Sequence, residues 1–122
     1  MNINLSNCTI SSDSSILDVL VKLNTQNELS IQILFVIDND DKVIGSLTDG
    51  DIRRALISNF TLESKIYDIC NKNFEKLQSI NENEFLDLSY FRKNNLRIVP
   101  VLDANSRLIN IFDLNNTQSV IP

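Results

Sequence analysis

The spacing of apolar residues changes several times along this chain, and each change marks an element. Ile16, Leu17, Leu20, Val21 and Leu23 recur at helical spacing behind Ser11, Ser12 and Asp13, which supply turn and N-cap chemistry. That helix is expected to end between Asn24 and Asn27, and Asn7–Ile10 ahead of it reads as a short strand. Ile31–Ile37 is mostly apolar without strict alternation and rich in β-branched residues, the pattern of a strand buried on both faces. Asp38–Asp41 is a turn, Lys42–Leu47 returns as the hairpin partner, and a helix is expected from Asp49 to about Ser58. The second half predicts a short helix over Glu63–Cys70, a strand over Phe74–Leu77, and a helix over Glu84–Lys93 with Phe85, Leu88 and Phe91 on one side. A strand over Leu96–Leu102, a turn over Asp103–Ser106 and a returning strand over Arg107–Phe112 complete it.

The two halves are copies of one plan. Shifted by 65 residues, Ile33 falls on Ile98, Val36 on Val101, Asp38 on Asp103 and Ile44 on Ile109, all identical. Ile31/Leu96, Leu34/Val99, Ile37/Leu102, Lys42/Arg107 and Val43/Leu108 are conservative pairs, and Leu17-Asp18 matches Leu86-Asp87 at a slightly larger offset. A unit this small cannot bury its own sheet face, so two copies must pack on each other. The expected fold is α/β in the α+β sense. Two β-α-β-β-α repeats, 1–60 and 61–116, pack through their sheets with pseudo-two-fold symmetry and a cleft between them. Residues 117–122 read as a tail or the start of a linker.

Composition narrows the chemistry. A net charge of −5 argues against a nucleic-acid backbone as partner, which needs clustered Lys and Arg. No apolar run approaches the roughly 20 residues of a membrane span, and Met1–Leu5 lacks the features of a secretory signal, so the cytoplasm is expected. The chain has no histidine, which removes Ser-His-Asp and Cys-His hydrolases outright. Cys8 and Cys70 have no metal or redox spacing and are expected to be buried apolar residues, as are Phe35, Phe85, Phe91 and Phe112.

Candidate function concentrates in Gly45-Ser46-Leu47-Thr48-Asp49-Gly50-Asp51-Ile52-Arg53-Arg54, which contains both glycines of the chain. The stretch is a strand turning sharply into a helix. Thr48 stands at the N-cap and Asp51 three residues later, the spacing of a capping box with Asp in place of Glu. A hydroxyl, a carboxylate and free helix N–H groups at one strand end suit a small anionic or sugar-bearing ligand, and Arg53 or Arg54 would add charge for a phosphate. The plain alternatives are a capping box only and a solvated Arg53-Arg54 face. A different alternative is an Asp49-x-Asp51 pair holding Mg²⁺ or Mn²⁺, as in enzymes that handle nucleotide sugars. The turn Asp38–Asp41 lacks the ligand spacing of a Ca²⁺ loop.

Val36-Ile37-Asp38, the turn, and Val43-Ile44-Gly45-Ser46-Leu47-Thr48-Asp49-Gly50-Asp51 resemble the core of a CBS domain, and the tandem arrangement resembles a CBS pair over nearly the whole chain. The resemblance implies a non-catalytic module that requires no cofactor. Such a module binds AMP, ADP, ATP or S-adenosylmethionine between the repeats and regulates an attached enzyme or transporter. It implies Asp51 as partner of the ribose hydroxyls and Thr48 as partner of a phosphate or ribose oxygen. The second copy departs from the pattern: Gly45 becomes Asn110, Thr48 becomes Asp113, and Asp51 becomes Asn116. A carboxylate at Asp113 would repel a phosphate, so any site at Asp113 and Asn116 is expected to be weaker or empty. The Thr-Asp-Gly-Asp-Ile-Arg-Arg wording and the tail from Phe112 to Pro122 also resemble CBS pairs that precede sugar-phosphate nucleotidyltransferases, and similar wording occurs in pairs attached to sugar-phosphate isomerases. The resemblance further implies a homodimer formed through helices, with the surfaces of Ile52–Ile57 and Ile66–Cys70 covered by a second copy.

Overall fold

A computed structural model describes residues 4–78 and 97–114. The elements are β1 (Thr9–Ser11), α1 (Ile16–Gln26), β2 (Ile33–Ile37), β3 (Val43–Thr48), α2 (Asp49–Ile57), β4 (Leu77–Gln78), β5 (Ile98–Leu102) and β6 (Leu108–Asp113). They form two three-stranded sheets, ordered β1-β2-β3 and β4-β5-β6. In each, the first strand runs parallel to the middle one and the other two form an antiparallel hairpin. The helix expected over Glu84–Lys93 and the residue Asn116 lie outside the described residues.

The repeat survives in fine geometry. The register shift between Val36 and Ile37 recurs between Val101 and Leu102, and the positive φ of Asp41 (63°) recurs at Ser106 (65°). The identical Asp38 and Asp103 have the same task. One oxygen of Asp38 accepts the backbone N–H groups of Asp40 and Lys42 at 2.9 and 3.0 Å. Asp103 accepts those of Asn105 and Arg107 at 2.8 and 3.0 Å. Each carboxylate replaces backbone partners the tight turn cannot offer. The two turns meet: Lys42 bridges Arg107 antiparallel, and Val43 N–H donates to the Ser106 carbonyl at 2.9 Å. Lys42 and Arg107 are equivalent residues, so their antiparallel pairing marks the pseudo-two-fold axis.

β2 shows why its sequence is apolar almost throughout. Leu34 and Val36 face the helices, packing with Ile16, Val19, Leu23, Ile52 and Ala55. Ile33 and Phe35 face the other way, onto Ile98, Leu102 and Ile111 of the second sheet. The strand is thus a wall shared by two cores.

Several expected elements shift. Asn7–Ile10 is divided between a 3-10 turn (Leu5–Cys8), capped by Asn4, and β1. Helix α1 is capped by Ser15, in a reciprocal capping box with Asp18, instead of by Ser11–Asp13; the Ser11 hydroxyl instead accepts the Asp13 N–H. Glu63–Cys70 makes only one 3-10 turn, Ile66–Asp68. Its flanks are claimed by other segments: Lys65 bridges Ser15 at the cap of α1, and Asn71 exchanges both backbone hydrogen bonds with Ser46 of β3 at 2.8 and 3.0 Å. The strand expected at Phe74 begins instead at Leu77, and Phe74 packs against Phe35 with ring centroids 6.4 Å apart.

The Ser46–Asn71 pairing covers the free edge of β3, and Gly45 makes it possible. A Cβ there would lie 2.7 Å from Cys70 Sγ and 3.1 Å from the Asn71 carbonyl oxygen. Cys70 and Cys8 are both buried free thiols. Burial above all pushes the Cys8 pKa up to about 11, with the charge of Glu28 adding to it and that of Lys22 opposing it. Burial likewise raises the Cys70 pKa.

Candidate functional site

Thr48 ends β3 in extended conformation (φ −109°, ψ 168°) and caps α2. Its hydroxyl accepts the Asp51 N–H at 3.2 Å, and its own N–H donates to Asp51 Oδ2 at 3.0 Å. The Thr48 hydroxyl also donates to that oxygen at 3.1 Å, which fixes its rotor. The other carboxylate oxygen, Oδ1, takes Arg54 Nη2 at 2.7 Å. Arg53 pairs instead with Asp49 at 3.3 Å, one turn back along an exposed face. The turn therefore gathers Thr48, Asp51 and Arg54 and leaves Arg53 beside Asp49. Among the described residues no cluster of three or more His, Cys, Asp or Glu side chains could hold a metal ion.

A cavity of about 330 Å³ lies against the face of the first sheet that meets the second. Its apolar wall is Ile31, Ile33, Phe35, Phe74 and Ile98; its polar wall is Ser46, Asn71 and Asn73; Glu75 and Arg97 supply opposite charges. Ile33 is the register partner of Thr48, and Ser46 and Thr48 share a face of β3 because strand side chains alternate. The cavity thus opens beside the capping turn and takes residues from both repeats. Aromatic and aliphatic walls with a few polar groups suit a flat heterocycle, and a guanidinium at one side suits an attached anion.

Ser46, Arg97, Asn71, Asn73 and Phe74 were not singled out by the sequence reading. Ser46 carries a signal in its two-residue spacing from Thr48, and Arg97 in being a cation within an apolar strand run. Asn71, Asn73 and Phe74 carry none, because only the tertiary pairing of Asn71 with Ser46 brings that segment to the cavity.

The position equivalent to Thr48 is built differently. Asp113 ends β6, and its carboxylate accepts the Ser30 N–H and the Ser30 hydroxyl, each at 2.6 Å, across the two repeats. The expectation for Asp113 considered only its repulsion of a phosphate; its observed work is to clasp the first repeat to the second.

Comparison with known proteins gives this geometry a context. Residues 3–58 match the family model described as the CBS domain. The chain is similar to an inosine-5′-monophosphate dehydrogenase from Methanocaldococcus jannaschii, 30% identical over 109 residues that make up 88% of this chain and 20% of that protein. The chain thus spans about a fifth of the length of that relative. Among solved structures, Staphylococcus aureus OpuCA superposes with a TM-score of 0.74 at 20% identity, over 92% of this chain and 89% of that one. The CBS domain pair of protein MJ0100, in complex with 5′-methylthioadenosine and S-adenosyl-L-methionine, superposes with a TM-score of 0.68 at 26% identity, over 92% and 85%. The matches fall on CBS domains and CBS-domain pairs. Residues 3–58, nearly all of the first repeat, thus match the CBS domain, and the described chain as a whole has the fold of a CBS-domain pair.

Proposed function

We propose that the module senses an adenine nucleotide in the cavity between its repeats and passes the occupancy to an attached or neighbouring enzyme. The base lies against Phe35, Phe74 and Ile33, the ribose reaches Thr48 and Asp51, and a phosphate takes Arg54 or Arg97. The observation that supports this most is the cavity itself: at about 330 Å³ it is at the lower end of the volumes of small-molecule sites, and its Ser46 and Ile33 walls adjoin the Thr48 turn, which presents a hydroxyl and a carboxylate together. The similar MJ0100 pair was crystallised with two adenine compounds, which favours this ligand class. A ligand touching both repeats shifts the balance of cleft geometries, and a fused domain reads that shift. From the Thr48–Arg54 wording, the regulated enzyme is a sugar-phosphate nucleotidyltransferase working in the cytoplasm. No helix among the described residues is long and apolar enough to cross a membrane.

The test is thermal unfolding with millimolar AMP, ADP, ATP and S-adenosylmethionine, on wild type and on Asp51→Ala. A ligand at 100 times its dissociation constant adds about 2.7 kcal/mol of stability, a shift of several degrees. A shift in wild type that Asp51→Ala removes supports the reading. No shift with any ligand overturns it.

A second reading, association of two copies, rests on exposed apolar side chains. Leu17 and Val21 on α1, and Leu56 and Ile57 on α2, are all more than a third exposed. Within Ile66–Cys70 only Tyr67 is comparably open, since Ile66 and Cys70 are buried. A covered face is therefore proposed on α1 and α2. A monomeric mass by light scattering at micromolar concentration removes it.

A further inference from the structure

Asp51 is the acceptor the nucleotide reading assigns to a sugar, yet its carboxylate is already engaged at both oxygens. Oδ2 takes two donors from Thr48, at 3.0 and 3.1 Å, which lock the helix cap. Oδ1, the oxygen without a capping duty, takes Arg54 Nη2 at 2.7 Å. Gly50 is the seat of this contact. A Cβ built there would lie 3.4 and 3.5 Å from the two terminal nitrogens of Arg54 and 3.6 Å from Thr48 Oγ1. The guanidinium therefore lies over the bare first turn of α2, beside the cap, while its side chain remains 71% exposed and free to leave.

We propose that Arg54 is the specificity-determining residue of this site: it occupies the Asp51 oxygen that a sugar hydroxyl needs, and yields it to ligands whose phosphate takes the guanidinium in exchange. This deepens the nucleotide reading and rests on it. With Oδ2 filled by Thr48 and one acceptor position of Oδ1 taken by Arg54, only one position stays open for the two hydroxyls of a ribose, so an uncharged nucleoside that engages both must break a charge-assisted hydrogen bond and leaves the guanidinium with water alone. A nucleotide breaks the same bond and replaces it with a phosphate contact of the same kind, often bidentate. Arg53 pairs with Asp49 and does not occupy Asp51, so it does not compete for that oxygen.

The experiment is isothermal titration of the full chain with adenosine and with AMP, on wild type, Arg54→Gln and Gly50→Ala. In Arg54→Gln the competitor is gone, so adenosine binds more tightly by up to about fivefold, the scale of an exposed ion pair. AMP changes less, because the lost phosphate partner offsets the freed oxygen, and the preference for AMP over adenosine falls accordingly. Gly50→Ala places a methyl group at ordinary contact distance from the guanidinium, leaves the ion pair intact and is expected to leave adenosine affinity unchanged; tightening there equal to that of Arg54→Gln would overturn the assignment to Arg54. A simple phosphate anchor would weaken AMP and leave adenosine alone, so adenosine affinity that is unchanged or weaker in Arg54→Gln overturns the proposal while the nucleotide reading stands. Failure of adenosine and AMP to bind wild type and Arg54→Gln alike overturns both.

Discussion

The ends of β3 and β6 occupy equivalent places in two copies of one unit and do opposite things. At the end of β3, Thr48 turns the chain into a helix, and the polar groups of Thr48, Asp51 and Arg54 serve one another within that turn. At the end of β6, Asp113 reaches across to Ser30 and ties the repeats together. The two halves provide matching frames, and the side chains at their ends differ: those at β3 bond to one another, and Asp113 at β6 bonds across to the other repeat. The Asp113 bonds join the two repeats, whereas those of Asp51 stay within one turn and bring a hydroxyl and a guanidinium to the same carboxylate.

That contrast can be broken experimentally, and the largest effect is expected at Gly45. Gly45→Ala drives a methyl group into Cys70 and the Asn71 backbone and is expected to cost about 2 kcal/mol by urea unfolding. The equivalent Asn110→Ala, at an exposed position of β6, is expected to stay within about 0.5 kcal/mol. Equal costs would mean that the edge pairing of β3 contributes nothing special. Asp113→Ala removes two charge-assisted bonds between the repeats, and the expected loss is about 1 kcal/mol, discounted for its exposure to solvent. Ser30→Ala deletes one of the same bonds and should cost less. Thr48→Ala removes an N-cap, for about 1 kcal/mol of helix stability, and weakens any nucleotide-induced shift, whereas Asp113→Ala leaves that shift in place. Arg53→Ala breaks only an exposed i,i+4 pair and should change stability by less than about 0.5 kcal/mol.

The thiols give a pH test of the fold the two ends share. The Cys8 pKa is raised in the folded state from 9.0 to about 11, so the folded chain holds that proton more tightly than the unfolded one. The associated stability is fully present below pH 9 and is lost as pH rises through about 11. The urea midpoint should stay flat in this respect below pH 9 and fall above it, with Cys70 adding in the same direction. Cys8→Ala should flatten part of that fall.

The local chemistry of this protein was determined by its sequence. The capping box of Thr48 and Asp51 lies within four consecutive residues, and its geometry follows from helix periodicity alone. The β2–β3 and β5–β6 hairpins were legible because a β-branched apolar run and an Asp-led turn are short-range signals, and their duplication made each a check on the other. What lies between the repeats was decided only by tertiary structure. The 3-10 turn at Ile66–Asp68 stands where residue spacing suggests a longer helix, because β3 claims the backbone of Asn71. The Ser30–Asp113 clasp spans 83 residues of sequence, a separation at which no local pattern speaks. Short-range hydrogen bonds and burial periodicity are written in neighbouring residues, but a cavity exists only where distant segments meet, and its lining is chosen by packing.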